Sequence, residues 1–379
     1  METEVGTQFI ALANDRVLAI GGSPTGDLAL SDAADVYDAR TNTWDASTPI
    51  PEARMEPALI TLRSGMVMVI GGAGARGQAL KSAYLFDPEH QTWIRAADMS
   101  VARSAPTAVM LHDGRVLVLG GAAAWSRPLP APDDISDVEI FDPAANSWTP
   151  TAPLPMGGVL RPSAIVLQDG RVLVAGGSVK NSTIASAALF DPAHESWRTL
   201  PNLPQPRSDG VMVLGPGKVV LMGGVALAGS PEGGGFTINP ALDSEFFDSR
   251  TLSWSLGSPP TSQRANNFLS FWAGVAPLHD GRMLALGVQP ALAYTYDASA
   301  DFWQVAGSPP PFQTGVDLVV MSDGRVLAIS TKPVWIYDPT LSPPAPGGAN
   351  GWMDSASTTL VLVAVALLIT LVGVWRRLT

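Results

Sequence analysis

The sequence predicts an all-β fold, a seven-bladed β-propeller, and two repeated patterns lead to this prediction. The first pattern is a tight turn, a short apolar run and a Gly-Gly pair, as in His112–Gly121. Its seven copies, some of them degenerate, are Asn14–Gly22, Ser64–Gly72, Asp113–Gly121, Asp169–Gly177, Pro216–Gly224, Asp280–Val288 and Asp323–Thr331. The second pattern is an aromatic–Asp pair with a Trp seven residues after the aromatic residue, and six copies carry it. A period of about 50 residues is typical of an array of similar structural units.

Each unit is predicted to hold four short strands, named a to d from the channel axis outwards. Strand a precedes the turn, as in Pro106–Leu111, and strand b is the apolar run, which is β-branched and too short for a helix. Strand c ends at the aromatic–Asp pair, and strand d begins at the Trp. A single sheet of this size leaves both faces uncovered, whereas a radial array packs each sheet between two neighbours.

The repeated glycines and tryptophans are predicted to be structural, because a residue that recurs at the same place in every unit serves packing. Glycine accepts a positive φ and lets one backbone pass close to another. The residues are Gly21, Gly22, Gly71, Gly72, Gly120, Gly121, Gly176, Gly177, Gly223, Gly224, Trp44, Trp93, Trp148, Trp197, Trp254 and Trp303.

A Gly-Gly pair, then an aromatic residue and then a Trp, at this period, resembles the kelch repeat. The resemblance covers about residues 7–340 and implies a kelch-type propeller, which we assign to residues 1–340. A WD40 array fits less well, since the chain has Trp44-Asp45 but lacks the Gly-His partner motif.

The end of the chain departs from the repeat. Tyr337-Asp338-Pro339 has no Trp seven residues after Tyr337, so the last blade is predicted to lack its own outer strand. Residues 341–354 are rich in Pro and Gly and are predicted to be a linker. Residues 355–375 include an uncharged apolar run, Ala356–Trp375, long enough for a transmembrane helix, and 376–379 form a short basic tail.

The basic tail after this helix predicts a cytoplasmic C-terminus and an extracytoplasmic propeller. The first residues, Met1–Gly6, do not resemble an export signal, so a tail-anchored protein with a cytosolic propeller stays open as the alternative. A start codon assigned too late would account for both the missing signal and the missing strand.

Composition excludes several classes of function. The chain has no cysteine, which rules out thiolate metal sites, thiol nucleophiles and the Cys–Tyr cofactor of galactose oxidase, a related propeller. A net charge of -11 argues against nucleic acid as a partner. The four histidines lie in predicted turns without metal-ligand spacing, so we predict no cofactor and no metal. The preference for Arg over Lys indicates a bacterial source.

Loop lengths indicate which face of the propeller binds a ligand. The b–c and d–a connections share one face and vary in length, whereas the a–b and c–d turns on the other face are short and uniform. An arginine just before strand a recurs on the variable face and is predicted to ring the channel mouth, where it would suit carboxylates or sugar hydroxyls. These residues are Arg54, Arg103, Arg161, Arg207 and Arg264. Their repetition equally allows a structural role.

Aromatic residues that are not repeated extend this predicted binding face. They could stack on a sugar ring or contact a peptide, or they could pack the long loops onto the blades. They are Trp125, Phe236, Phe268, Phe271 and Trp272. Candidate acids on the same face are Glu52, Glu56, Asp209 and Asp317, but no pair has the spacing of a known catalytic site.

The sequence therefore predicts a membrane-anchored, non-catalytic propeller that binds a protein or glycan through its b–c and d–a loop face. No catalytic residue is assigned. The kelch resemblance implies one alternative, a carbohydrate-active enzyme similar to a sialic acid mutarotase, acting at an arginine-lined channel mouth.

Overall fold

Seven four-stranded antiparallel sheets follow one another along the chain, which confirms the predicted seven-bladed β-propeller. The computed structural model describes residues 6–23, 29–124, 134–180, 182–215, 217–229, 236–241, 243–258, 272–288, 291–307, 309, 316–329, 334–341 and 352–354. In each blade the strands pair in the order a, b, c, d. The a strands of successive blades lie beside one another, and the a strand of blade 7 lies beside that of blade 1, so the ring is closed.

The first four blades have strands of similar length. In the order a to d, the strands are Gln8–Leu12, Arg16–Ile20, Ala34–Asp38 and Thr43–Ala46 in blade 1 and Ala58–Thr61, Val67–Ile70, Ala83–Asp87 and Thr92–Arg95 in blade 2. They are Thr107–Met110, Val116–Leu119, Val138–Asp142 and Ser147–Thr151 in blade 3 and Ser163–Val166, Val172–Ala175, Ala187–Asp191 and Ser196–Leu200 in blade 4.

The last three blades include the longest and the shortest outer strands. The strands are Val211–Gly215, Lys218–Met222, Glu245–Asp248 and Ser253–Leu256 in blade 5 and Trp272–Pro277, Met283–Val288, Ala291–Asp297 and Phe302–Gly307 in blade 6. In blade 7 they are Asp317–Val320, Val326–Ile329, Trp335–Tyr337 and Trp352–Asp354.

Among the described residues, three b–c connections carry local structure of their own. A short 3₁₀ turn, Ala75–Gly77, lies in blade 2. Two-stranded hairpins lie in blade 4, between Ser178–Val179 and Ser182–Thr183, and in blade 5, between Val225–Gly229 and Phe236–Pro240.

The core lies between the blades. Each pair of neighbouring blades encloses an apolar cluster. Each of the two blades contributes the side chains on the facing side of its buried strand b, and one of them adds the aromatic residue that ends its strand c. That aromatic ring packs against the repeat Trp opposite it on strand d, with ring centroids 4.8 Å apart for Phe86 and Trp93 and 4.9 Å for Phe141 and Trp148. The two parts of the second repeated pattern, the aromatic residue and the Trp, are therefore paired in register on strands c and d.

Several of the repeat tryptophans also tie their own blade to the one before it. The indole N–H of Trp148 donates to the Ala97 carbonyl at the end of blade 2, and Trp197 donates in the same way to Ala152 of blade 3. Between blades 7 and 1, the N–H of Asp15 donates to the Ser322 hydroxyl, and the Asp15 carboxylate accepts from the Asp323 N–H. The ring thus closes by packing and hydrogen bonds between complete blades.

The expectation that blade 7 lacks an outer strand is wrong. Trp352–Asp354 pairs with strand c of blade 7, and the register places Trp352 opposite Tyr337, as the repeat Trp stands opposite its aromatic partner in the other blades. The seventh Trp is present, but it follows Tyr337 by fifteen residues rather than seven, because the Pro/Gly-rich segment enters the c–d connection. The strand therefore comes from the predicted linker, and no additional N-terminal segment is needed to complete the blade.

The predicted helix at 355–375 and the basic tail at 376–379 lie outside the described residues. Within the part of the chain that the structure describes, no helix is long and apolar enough to cross a bilayer.

Candidate functional site: the mouth of the axial channel

One backbone position repeats around the end of the channel on the d–a face. It lies two residues before strand a and has a left-handed conformation in the first five blades. The φ angles are 79° for Gly6, 51° for Glu56, 46° for Ala105, 50° for Arg161 and 58° for Asp209. This conformation costs a non-glycine residue about 1–2 kcal/mol, so the surrounding structure must hold it in place.

Hydrogen bonds between neighbouring blades hold this position. The N–H of Glu56 donates to the Gly6 carbonyl at 3.0 Å, that of Ala105 to Glu56 at 3.2 Å, and that of Asp209 to Arg161 at 3.3 Å. The d–a connections are thereby joined edge to edge, and their side chains are arranged around a single opening.

The opening leads into a cavity of about 490 Å³. Its wall holds the left-handed residues of the first five blades together with the first residues of several a strands. The polar residues in the wall are Thr7, Gln8, Glu56, Thr107, Arg161, Asp209 and Asp317. A concave site with a few convergent polar groups is the usual form of a binding site for a small polar ligand.

Arg161 spans the opening between two carboxylates. Its Nη2 lies 2.5 Å from Oε1 of Glu56 in blade 2, and its Nη1 lies 3.5 Å from Oδ1 of Asp209 in blade 5. Burial lowers the pKa of Arg161, but the charges of Glu56 and Asp209 and the hydrogen bond to Glu56 outweigh this effect, so the pKa is raised. Arg161 is therefore a fixed positive charge, and its side chain is still 40% exposed.

Asp317 is a third carboxylate in the same wall, at the start of strand a in blade 7. Solvent reaches its side chain, yet the cavity wall displaces much of the water that would stabilise the charged form. This desolvation raises the pKa of Asp317 to about 6. Its carboxyl group therefore exchanges a proton closer to neutral pH than an ordinary aspartate.

Asp317→Asn is expected to remove a pH-dependent loss of stability. Because the pKa is about 6 in the folded protein against 3.8 normally, the folded state binds more protons than the unfolded state between these values. The free energy of unfolding should therefore fall as the pH rises from about 4 to about 6. Urea unfolding across this range should show a smaller fall in the variant, and equal falls in both proteins would contradict the raised pKa.

Three of the predicted arginines are not at this mouth. Arg54, Arg103 and Arg207 are fully buried, so they do not offer their guanidinium groups to a ligand. Arg103 Nη2 lies 2.9 Å from Glu139, which is also buried, and Arg103 Nη1 donates to the carbonyls of Gly120 and Asp137. Arg207 pairs in the same way with Glu245 at 3.1 Å. Their role is to link the d–a connection to strands b and c of the same blade.

Arg161 differs because it does not occupy the buried arginine position of the repeat in blade 4. In the first four Gly-Gly pairs the second glycine donates its N–H to the carbonyl at the buried arginine position of the next blade, as Gly72 does to Arg103. In blade 4 that position holds Val159, which accepts from Gly121, so Arg161 lies two residues further along. The signal was present in the sequence: Arg54 and Arg103 stand three residues before a proline, whereas Arg161 stands one residue before Pro162.

The remaining predicted site residues divide into two groups. Arg264, Trp125, Phe268 and Phe271 lie outside the described residues. Phe236 begins one strand of the blade 5 hairpin, and Trp272 begins strand a of blade 6.

Residues 7–224, more than half of the chain, match the family described as KLHDC2/KLHL20/DRC7 Kelch-repeats domain. The chain belongs to the kelch-repeat family. No curated protein matches this kelch chain. Among solved structures, that of YjhT superimposes with a TM-score of 0.58 over 80% of this chain and 98% of YjhT, at 15% sequence identity. This likeness shows a shared fold over most of the chain.

Proposed function

We propose that this kelch propeller is a membrane-anchored, non-catalytic binding module, and that its ligand enters the mouth of the axial channel on the b–c and d–a loop face. The observation that carries the proposal is the ion bridge from Glu56 through Arg161 to Asp209 across a cavity of about 490 Å³. It joins blades 2, 4 and 5 through side chains on a backbone position that is unfavourable for non-glycine residues.

The charges in the cavity favour a glycan as the ligand. Glu56 and Asp209 already neutralise Arg161, and Asp317 adds a further carboxyl group, so an anionic ligand would meet net repulsion. Neutral sugar hydroxyls can donate to these carboxylates and accept from the guanidinium group of Arg161. A protein ligand would have to present a neutral polar or a basic segment to the same groups.

The membrane anchor in this proposal rests on the apolar run of residues 356–375. At about 1.5 Å per residue, a helix of this length spans a hydrocarbon core of about 30 Å. The two arginines that follow it favour a cytoplasmic C-terminus and an extracytoplasmic propeller. Protease treatment of intact cells should degrade the propeller in this topology and spare it if the protein is tail-anchored with a cytosolic propeller.

Arg161→Ala is expected to weaken glycan binding by roughly 10–100-fold, the loss of a charged hydrogen-bonding group. Binding is measured on a glycan array and then by titration with the best neutral glycan. Arg115→Ala is the matched control, because Arg115 also pairs with a carboxylate, Asp113, but lies in an a–b turn on the other face. If both variants bind like the parent protein, the channel mouth is not the binding site.

A carbohydrate-active enzyme is the second candidate, and the pKa of Asp317 favours it. A carboxyl group that titrates near 6 can act as a general acid or base on a bound sugar. The glycans that bind are therefore followed for chemical change as well. Turnover that disappears in Asp317→Asn, with binding retained, supports the enzyme, whereas binding without turnover supports the non-catalytic module.

A further inference from the structure

The strand that completes blade 7 leads directly into the apolar run. The strand ends at Asp354 and the run begins at Ala356, so Ser355 alone lies between them. Strand d continues three residues past the repeat Trp in blades 3 and 4, whereas Asp354 lies two residues past Trp352. The chain therefore has no spacer between the outer edge of the propeller and the proposed anchor.

A membrane helix that starts at the outer edge of one blade brings the rim of the propeller close to the bilayer. The two blades beside blade 7 are blades 6 and 1. Their outer strands are exposed edges, and the side chains on these edges decide which one could contact lipid.

The outer strands of blades 6 and 1 differ in character. The residue before the repeat Trp carries a hydroxyl group in the first five blades, as Thr43 does in blade 1. In blade 6 this residue is Phe302, whose side chain is 60% exposed. Val305, on the same strand, is 50% exposed. Blade 1 presents Thr43 and Asp45 on its outer strand instead.

The first five blades form with a hydroxyl residue at this place, and among the described residues the ring of Phe302 is mostly open to solvent. An exposed phenylalanine beside a membrane anchor is suited to the boundary between lipid headgroups and acyl chains, where membrane-surface segments bury Trp, Phe and Leu side chains. The net charge of -11 gives the rest of the protein no attraction to an anionic lipid surface, so contact would depend on these apolar side chains.

We infer that the rim of blade 6, through Phe302 and Val305, rests on the lipid bilayer. This inference depends on the anchor in the proposed function. It places the channel axis roughly parallel to the membrane plane. Both ends of the channel then stay open to the aqueous phase, and the mouth that holds Arg161 faces sideways along the membrane surface.

The absence of cysteine allows a clean test with one fluorescent label per protein. The full-length chain is reconstituted in phosphatidylcholine vesicles that contain a lipid-attached quencher. Labels are placed by Phe302→Cys and Val305→Cys on the proposed contact and by Leu367→Cys in the apolar run. The controls are Thr43→Cys, at the position in blade 1 that corresponds to Phe302, and Ile94→Cys, a similarly exposed apolar residue in blade 2.

The labels at 302, 305 and 367 are expected to lose most of their fluorescence, while those at 43 and 94 keep theirs. Quenching at 367 without quenching at 302 and 305 overturns the rim contact and leaves the anchor intact. Equal quenching at 43, 94 and 302 overturns it as well, because the propeller would then have no preferred edge. An unquenched label at 367 overturns the anchor and the rim contact together.

Discussion

Arg103→Val is expected to lower the free energy of unfolding by about 3–5 kcal/mol, the cost of leaving a buried charge without its partner. Arg103 is 0% exposed and Glu139 is 1% exposed, and their charged atoms lie 2.9 Å apart. Burial lowers the pKa of Arg103, and the attraction of Glu139 offsets this only in part. Burying this ion pair therefore costs free energy, and removing only one of the two charges costs more, because the other charge stays buried without a partner. Urea unfolding of the parent and variant proteins measures the difference.

Blade 4 provides a natural control for this prediction. Val159 replaces the buried arginine there, and Ala188 stands at the strand c position that Glu139 occupies in blade 3. Adding Glu139→Ala to Arg103→Val should thus recover much of the lost stability. Recovery should be incomplete, because the N–H groups of Ser100 and Val101 lose the carboxylate that accepts them. A double variant as unstable as the single one would show that the charge pair is not the cause.

The blade number and the strand order could be predicted because each unit is specified by local chemistry. Asp-Gly turns, β-branched runs and the aromatic–Trp pairing act within one unit and recur in the others. A strand that is hard to assign in one unit can therefore be assigned by comparison with the other units. Blade 7 was incomplete in the prediction because its Trp is displaced by a long c–d connection. A fixed spacing does not detect Trp352, whereas strand register does.

The candidate site was less accessible to sequence reasoning for a different reason. A repeated arginine is equally consistent with a ring of ligand-binding groups and with a buried structural bond, and its spacing does not reveal which way the side chain points. Arg103 and Arg207 turn into the blade because Glu139 and Glu245 stand opposite on strand c. Arg161 turns outward because it lies two residues after the buried arginine position, at the left-handed residue of the d–a connection.

The second large effect is expected for Gly224→Ala, which should cost about 4 kcal/mol or more, in the range of exceptional single substitutions. Gly224 has a φ of 78°, and a Cβ placed there would lie 2.2 Å from the Ser208 carbonyl oxygen. That oxygen accepts the N–H of Val225 at 3.0 Å, so the d–a connection would have to move and give up a backbone hydrogen bond. Ser208 directly follows the buried Arg207, and the disturbance would reach its pair with Glu245.

Gly217→Ala, in the a–b turn of the same blade, separates the two causes. Gly217 has a similar φ of 71°, but a Cβ there would meet nothing within 4 Å, so its cost should stay near 1–2 kcal/mol. The difference between the two variants measures the close approach of one backbone to another, apart from the left-handed conformation. If both variants lost the same free energy of unfolding, the left-handed backbone conformation alone would account for the glycine in the repeated pair. A much larger loss for Gly224→Ala would show that the second glycine is needed because the d–a connection passes directly over it.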